Sequence, residues 1–387
     1  MRANHFLHGT LNGCLVLDLS RLLPGPYCSM ILADHGARVI CIEHKRFKED
    51  YTSAAARGIH RNKEHMTLDL KTEKGKKIFF ALAEKADVIL ETFRPGVVER
   101  LGVGYHQIRN VNPKIIYCSL TGYGQQSPLK ELAGHDINYL GHSGILSIIC
   151  SEDGIPCVPG IQVADIVGGL NAAIGITLAL YSREKIGKGQ YIDIAMTDSC
   201  LAMLPVVVGM IWGRGQFSPR AAALVYQKYA CYNIYKTADG KYLTVGALEP
   251  RFWETICQYF QVPEYIPLQY SEERRTEIIN FLRAKFLEKT RDEWMKIFFN
   301  KDACLGAVLS IAEALNSEHT KGRKMVTEMD SDERGSGNAL GIPIKLSETP
   351  GSLRTCAPEF GEHTRTILKE LGYSEQDIAR LELEEVV

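Results

Sequence analysis

Several things are missing from this chain of 387 residues, and each absence narrows what it does. Its eleven cysteines are scattered and never form a Cys-x-x-Cys pair. That usage reads as reduced thiols packed as small apolar residues, and Cys41 and Cys118 already sit inside apolar, strand-like runs. No ligand spacing supports zinc, and no metal is expected. No Gly-x-Gly-x-x-Gly follows the first strand, so a nicotinamide or flavin cofactor is not supported. A formal net charge of -1 leaves no basic excess for nucleic acid, and an anionic ligand needs a local patch. The N-terminus has no apolar leader, and Glu384-Glu385-Val386-Val387 carries no peroxisomal or lipidation signal. The longest apolar run, Cys200 to Trp212, contains Pro205 and falls short of the roughly 20 residues a bilayer needs. It is read as a core helix, and the expectation is a cytoplasmic protein without a membrane partner.

What is present is ordinary globular chemistry: 45% hydrophobic and 24% charged residues, in a chain long enough for a large core. The first part alternates strand and helix. Strands are expected at Leu15–Leu19, Arg38–Glu43, Asp87–Glu91, Pro113–Leu120 and Tyr191–Ala195. Helices are expected at Tyr27–His35, Thr72–Lys85 and Ile166–Glu184. Strands separated by helical crossovers imply a parallel sheet covered on both faces, an α/β fold. After the Cys200 run the pattern changes to a hairpin over Tyr232–Gly246, followed by amphipathic helices at Phe252–Phe260, Glu272–Lys289 and Arg291–Phe299. The organisation read from this is a large domain over 1–200, a small α+β domain over 201–330, and a C-terminal segment, 331–387, returning to the first. That tail is expected to be helical from Ala357 to Ile378.

Two polar groups stand out. His135, in Gly134-His135-Asp136-Ile137-Asn138-Tyr139, follows a strand and loop, on the sheet edge where ligands collect in open α/β folds. An imidazole there carries a proton in either direction near neutral pH. Asp165 opens an apolar helix; an aspartate there is most often an N-cap, and a helix N-terminus also holds a carboxylate as the anion. The backbone N–H groups around Asp165 and the following glycines are expected to face a developing oxyanion. Glu249, before Pro250, reads by itself as a strand-end polar residue. Candidate anion-binding groups are Arg94, read as starting a helix, Arg100, Lys63 and Lys71.

Six phrases resemble the family III (CaiB/BaiF) CoA-transferase superfamily. They are Leu17-Asp18-Leu19-Ser20-Arg21-Leu22-Leu23-Pro24-Gly25-Pro26, Leu68-Asp69-Leu70-Lys71, Phe93-Arg94-Pro95-Gly96, Thr121-Gly122-Tyr123-Gly124, Gly187-Lys188-Gly189-Gln190 and Ala357-Pro358-Glu359-Phe360-Gly361-Glu362-His363-Thr364. They span nearly the whole chain. The resemblance implies a Rossmann-like large domain, a smaller α+β domain, an interlocked homodimer, acyl-CoA substrates, and no metal or cofactor beyond the CoA moiety of the substrate. Gly134-His135-Asp136-Ile137-Asn138-Tyr139 and Gly246-Ala247-Leu248-Glu249-Pro250 are similar to the α-methylacyl-CoA racemase branch. That branch implies proton transfer by His135 and Asp165, with Glu249 supporting the site. The residues implied for the CoA side are His44, Leu68, Asp69, Leu70, Lys71, Thr92, Phe93, Arg94, Arg100, Gly134, Asp136, Ile137, Asn138, Tyr139, Ala164, Gly168 and Gly169. The transferase branch uses the same aspartate, Asp165, as a nucleophile that forms an acyl anhydride, and it stays open as the alternative. A CoA-binding regulator without turnover is the third reading.

Overall fold

Six short strands form one parallel sheet in the order β3-β2-β1-β4-β5-β6. They are β1 (Leu15–Asp18), β2 (Arg38–Glu43), β3 (Lys63–Thr67), β4 (Val88–Glu91), β5 (Ile116–Thr121) and β6 (Tyr191–Ala195). This is the strand order of the dinucleotide-binding α/β folds, and it reverses between β1 and β4. The helices of the same unit are α1 (Pro24–Asp34), α2 (Lys48–Thr52), α3 (Glu73–Ala83), α4 (Val97–Leu101), α5 (Tyr105–Val111), α6 (Asp136–His142), α7 (Val163–Ile186) and α8 (Met196–Leu201). The structure, a computed structural model, describes residues 9–52, 57–151, 153–214, 228–329 and 338–387.

The chain folds into two compact units. The first comprises Met1–Leu146, Val158–Met203 and His319–Val387; the second comprises Ser147–Cys157 and Leu204–Glu318. In the second unit α9 (Pro205–Arg214) precedes an antiparallel hairpin of β7 (Tyr232–Lys236) and β8 (Tyr242–Gly246), and β9 (Leu305–Val308) adds to β8. Helices α10 (Pro250–Tyr259), α11 (Arg275–Phe286), α12 (Arg291–Phe298) and α13 (Ile311–Asn316) complete it, around buried Trp253, Phe286 and Trp294. α14 (Glu318–Gly322) leads to a small ribbon of β10 (Val326–Glu328) and β11 (Asn338–Leu340), then α15 (Thr364–Glu370) and α16 (Glu375–Leu383).

Strand β3 corrects the sequence reading, which had no strand between Glu43 and Thr72. Lys-Glu-His-Met-Thr has no apolar run, yet Lys63 and His65 are buried. Burial of such groups requires partners. Lys63 Nζ donates to Pro26 O at 2.8 Å, and His65 Nδ1 accepts the Gly361 N–H at 2.8 Å. Lys63 is therefore a buried structural cation and not an anion-binding group. β3 is also the sheet edge, where unpaired backbone groups need cover. The segment before α15 provides it: the Asn62 N–H donates to Thr355 O, the His363 N–H to His65 O, and the Thr67 N–H to Thr364 Oγ1. The expected helix from Ala357 is thus an edge-covering passage up to His363, and helix begins only at Thr364.

The Cys200–Trp212 run is not one core helix. Pro205 lacks an N–H and cannot continue a helix, so α8 ends at Leu201 and α9 begins at Pro205. Leu201, Met203, Val206 and Trp212 are exposed in the single chain. The apolar Phe217 and Tyr226 that follow this run in sequence lie outside the described residues. Among the described residues, the helix that matches a membrane span in length and composition is instead α7, 24 residues long. An uninterrupted-run criterion passes over it because Asp165 and Asn171 break the pattern. Gly168, Gly169, Ala172, Ala173, Ile176 and Ala179 bury one face of it. A Cβ on Gly169 would lie 2.5 Å from Pro24 O of α1, and one on Gly168 would lie 2.7 Å from Met196 Cγ.

Candidate active site

His135 is the N-cap of α6, and Asp165 is the third residue of α7. The side chain of Asn138 accepts the His135 backbone N–H at 3.0 Å and fixes the entry to α6. One residue on, Asp136 Oδ1 accepts the N–H of Ala164 at 2.6 Å and that of Asp165 at 3.2 Å. The cap of α7 therefore comes from another helix, and Asp165 does not cap its own. This corrects two expectations. Asp165 is freed from the ordinary role of an aspartate at a helix start, and the Ala164 and Asp165 N–H groups are occupied by Asp136 and do not face an oxyanion. Gly168 and Gly169, expected on the CoA side, hold α7 against Met196 and α1.

Asp165 is half-buried. Its carboxyl is raised to about 6, first by burial, then by the neighbouring Asp136 anion, with His135 acting in the opposite direction. Its proton affinity thus lies in the range where an unperturbed imidazole titrates. Cys200, buried beside these carboxyls, is pushed up to about 11 by burial and by Asp136 and Asp165. Tyr139 seals the other side. Its hydroxyl donates to Gly134 O at 2.6 Å, and its ring lies over Gly122 and Gly134, where a Cβ would approach ring atoms to 2.4 and 2.8 Å. This explains the Gly122 of the Thr-Gly-Tyr-Gly phrase in packing terms. Burial, Tyr123 and Asp165 raise the Tyr139 hydroxyl to about 12, and Arg94 opposes them.

Asp165 opens on a cavity of about 400 Å³ within the first unit. Arg21, Leu22 and Leu23 of the β1–α1 loop, Glu43, Asp50, Tyr51, Ile59, His60 and Gln162 complete its wall. The sequence pattern gave no signal for most of these, because they come from four separate passages. Only Arg21 and its leucines fell within a phrase that drew attention. The Arg21 guanidinium stacks on Phe47 at 3.3 Å and stands 3.7 Å from Asp50. Leu22 holds φ at +64°, an uncommon state for a non-glycine residue. His60 is kept neutral by burial, with Lys63 and His65 adding to the effect.

The residues expected to hold CoA lie along the C-terminal ends of the strands, the ligand edge of such sheets. His44 follows β2, and its Nε2 stands 3.8 Å from Asp69 Oδ2 beyond β3. Leu68 and Leu70 are core residues. Asp69 Oδ1 accepts the Lys71 N–H at 2.9 Å, and the Lys71 side chain is exposed. Thr92 Oγ1 accepts the Arg21 N–H at 3.3 Å, joining the ends of β1 and β4 where the strand order reverses. Arg94 lies in the turn after β4 and not in a helix; α4 starts only at Val97. Buried Glu91 anchors that turn by accepting the Phe93 N–H at 2.7 Å. Burial raises Glu91 to about 7 against the bonds from Ser119 and Phe93. Arg94, Arg100 and Ile137 are exposed. Glu249 is the exposed N-cap of α10 in the second unit. Among the described residues no group of three or more His, Cys, Asp or Glu is placed to hold a metal.

The chain matches CoA-transferase family III over residues 11–364 and belongs to that family. It is 36% identical over 384 residues to the alpha-methylacyl-CoA racemase of Homo sapiens, covering 97% of each chain. It is 32% identical to the succinyl-CoA:glutarate CoA-transferase of Mus musculus, across 96% of this chain and 88% of that one. Among solved structures, a CAIB/BAIF family protein from Brucella suis superposes with a TM-score of 0.83 at 28% identity, over 94% of this chain and 100% of that one. The family is one of enzymes, with racemases and CoA-transferases both among its members.

Proposed function

We propose that the protein interconverts the two configurations at the α-carbon of a 2-methylacyl-CoA, or a similarly α-substituted thioester, by 1,1-proton transfer. One observation carries this reading. A carboxyl lifted into the imidazole range, Asp165, stands beside His135 within one unit. A racemase needs two groups of comparable proton affinity, because each serves as base for one enantiomer and as acid for the other. In one direction Asp165 removes the α-proton; the C–H electron pair moves into the thioester carbonyl to give the enolate. His135, protonated, then delivers its proton to the opposite face, and the protonation states have exchanged. The reverse direction uses the same steps with the roles exchanged. Acid-base help of this kind supplies roughly 10²–10⁴-fold in rate. The CoA is assigned to the strand edge from His44 to Arg94, with exposed Lys71, Arg94 and Arg100 for its phosphates. Glu249 takes the supporting role the family implies.

The working form is read as a homodimer. Leu170, Ile174, Leu178 and Tyr181 form an exposed apolar stripe on α7, at helical spacing and opposite its buried face. A second copy of the chain is the occupant this reading assigns to it.

The test is deuterium wash-in from D₂O at the α-carbon of each pure enantiomer of a 2-methylacyl-CoA, without any acceptor acid. Exchange with inversion is expected; no exchange, together with passage of CoA to a free carboxylate, sinks the reading. The cavity at Asp165 favours that second reading. There the carboxylate attacks the donor thioester, the C–S bond breaks, CoA leaves as the thiolate and an acyl anhydride remains on Asp165. Hydroxylamine trapping of that adduct distinguishes the two.

A further inference from the structure

The residue after the imidazole, Asp136, touches both the frame and the charge of the site. Its carboxylate accepts two backbone N–H groups in the first turn of α7, one of them from Asp165 itself. A shift of α6 relative to α7 would break both bonds, so this carboxylate sets the spacing between His135 and Asp165. We propose that Asp136 is the positioning residue of Asp165, acting through these two N–H groups and through its own negative charge. The inference rests on the reading that Asp165 is the reacting carboxyl. It holds for a base and for a nucleophile alike.

The electrostatic part follows from what surrounds Asp165. His135 and Asp136 act from α6. Tyr139, also on α6, and Cys200 on α8 respond to its charge. Across the cavity stand Arg21, Glu43, Asp50 and His60. Of the charged groups acting on Asp165, Asp136 makes the largest contribution, after burial, to raising it. An anion that accepts hydrogen bonds from a helix N-terminus is itself stabilised there. The like charge moves the proton affinity of Asp165 upward.

The test separates charge from hydrogen bonding. Asp136→Asn keeps an oxygen acceptor for the two N–H groups and removes the charge. Asp136→Ser is a second neutral acceptor, should the amide variant fold poorly. In the full-length protein, the carboxyl of Asp165 is titrated by ¹³C NMR of aspartate-labelled samples and assigned by its loss in Asp165→Asn. This readout does not depend on activity, so it remains informative even if the proposed reaction fails. The expected result is a downward shift on the order of one pH unit in the neutral variant. The acid limb of the kcat/KM profile for α-proton exchange from the enantiomer that Asp165 deprotonates moves the same way. Asp136→Glu, which retains charge, leaves the titration closer to that of the unaltered protein. An unmoved Asp165 titration in a folded Asp136→Asn or Asp136→Ser variant overturns the proposal.

Discussion

Lys63 Nζ donates to the carbonyl of Pro26 at 2.8 Å and stands 3.8 Å from Asp18 Oδ2, with both side chains shut off from water. Asp18 in turn accepts hydrogen bonds from Ser20 Oγ and Ser29 Oγ. The group of residues ties edge strand β3 to the β1–α1 loop, whose Arg21, Leu22 and Leu23 wall the Asp165 cavity. Removing one partner of a buried ion pair leaves the other charge uncompensated. Lys63→Met is accordingly expected to destabilise the fold by about 3–5 kcal/mol. Urea denaturation followed by circular dichroism measures this, and a loss within error of zero would contradict the structural role.

The two glycines of α7 are expected to differ. A Cβ at Gly169 meets backbone, Pro24 O at 2.5 Å, whereas one at Gly168 meets the Met196 side chain. Methionine repacks readily and a backbone carbonyl does not. Gly169→Ala should cost roughly 1–3 kcal/mol by overpacking, and Gly168→Ala less. Thermal melts of the two variants, compared directly, decide it; the opposite ranking would mean that α1 shifts freely.

Asp165→Asn removes the carboxyl without touching the cap of α7, which Asp136 supplies. The melting temperature is expected to change little, while exchange and inversion fall at least about 10²-fold. Activity within a fewfold of the unaltered protein would remove Asp165 from the chemistry. His135→Ala should abolish net inversion yet leave exchange into the one enantiomer whose α-proton faces Asp165. Equal residual exchange from both enantiomers would show that His135 is not the second base.

The pH dependence follows from the raised carboxyl. Asp165 is protonated below about 6, and it must be ionised to act as a base or a nucleophile. For the enantiomer whose α-proton faces Asp165, the kcat/KM for α-exchange should therefore fall as pH drops through about 6, not through the ordinary aspartate range near 4. A pH–rate profile flat down to pH 5 would contradict this.

Leu178→Arg places a charge in the middle of the α7 stripe, far along the helix from Asp165. Sedimentation should show the proposed homodimer weakened or lost, with the secondary structure of each chain retained. A variant that sediments like the unaltered protein would assign the stripe to something other than a second copy.

The parallel sheet was legible from sequence where strands are apolar and bounded by turns: β1, β2, β4 and β5 bury nearly continuous runs, and β6, though only Ala195 of it is buried, is β-branched and aromatic after a Gly-Lys-Gly turn, so their composition announces them. β3 was not, because its burial depends on Pro26, Gly361 and Tyr51, which lie elsewhere along the chain. The same contrast applies to the site. Local phrases singled out His135, after a strand and loop, and Asp165, opening an apolar helix, since each carries chemistry of its own. That Asp136 caps the helix of Asp165, and that Arg21, Tyr51 and His60 share a cavity with it, was decided only by tertiary structure. Hydrogen bonds and electrostatic fields act over a few ångströms of space, whatever the separation along the chain, and no local pattern records them.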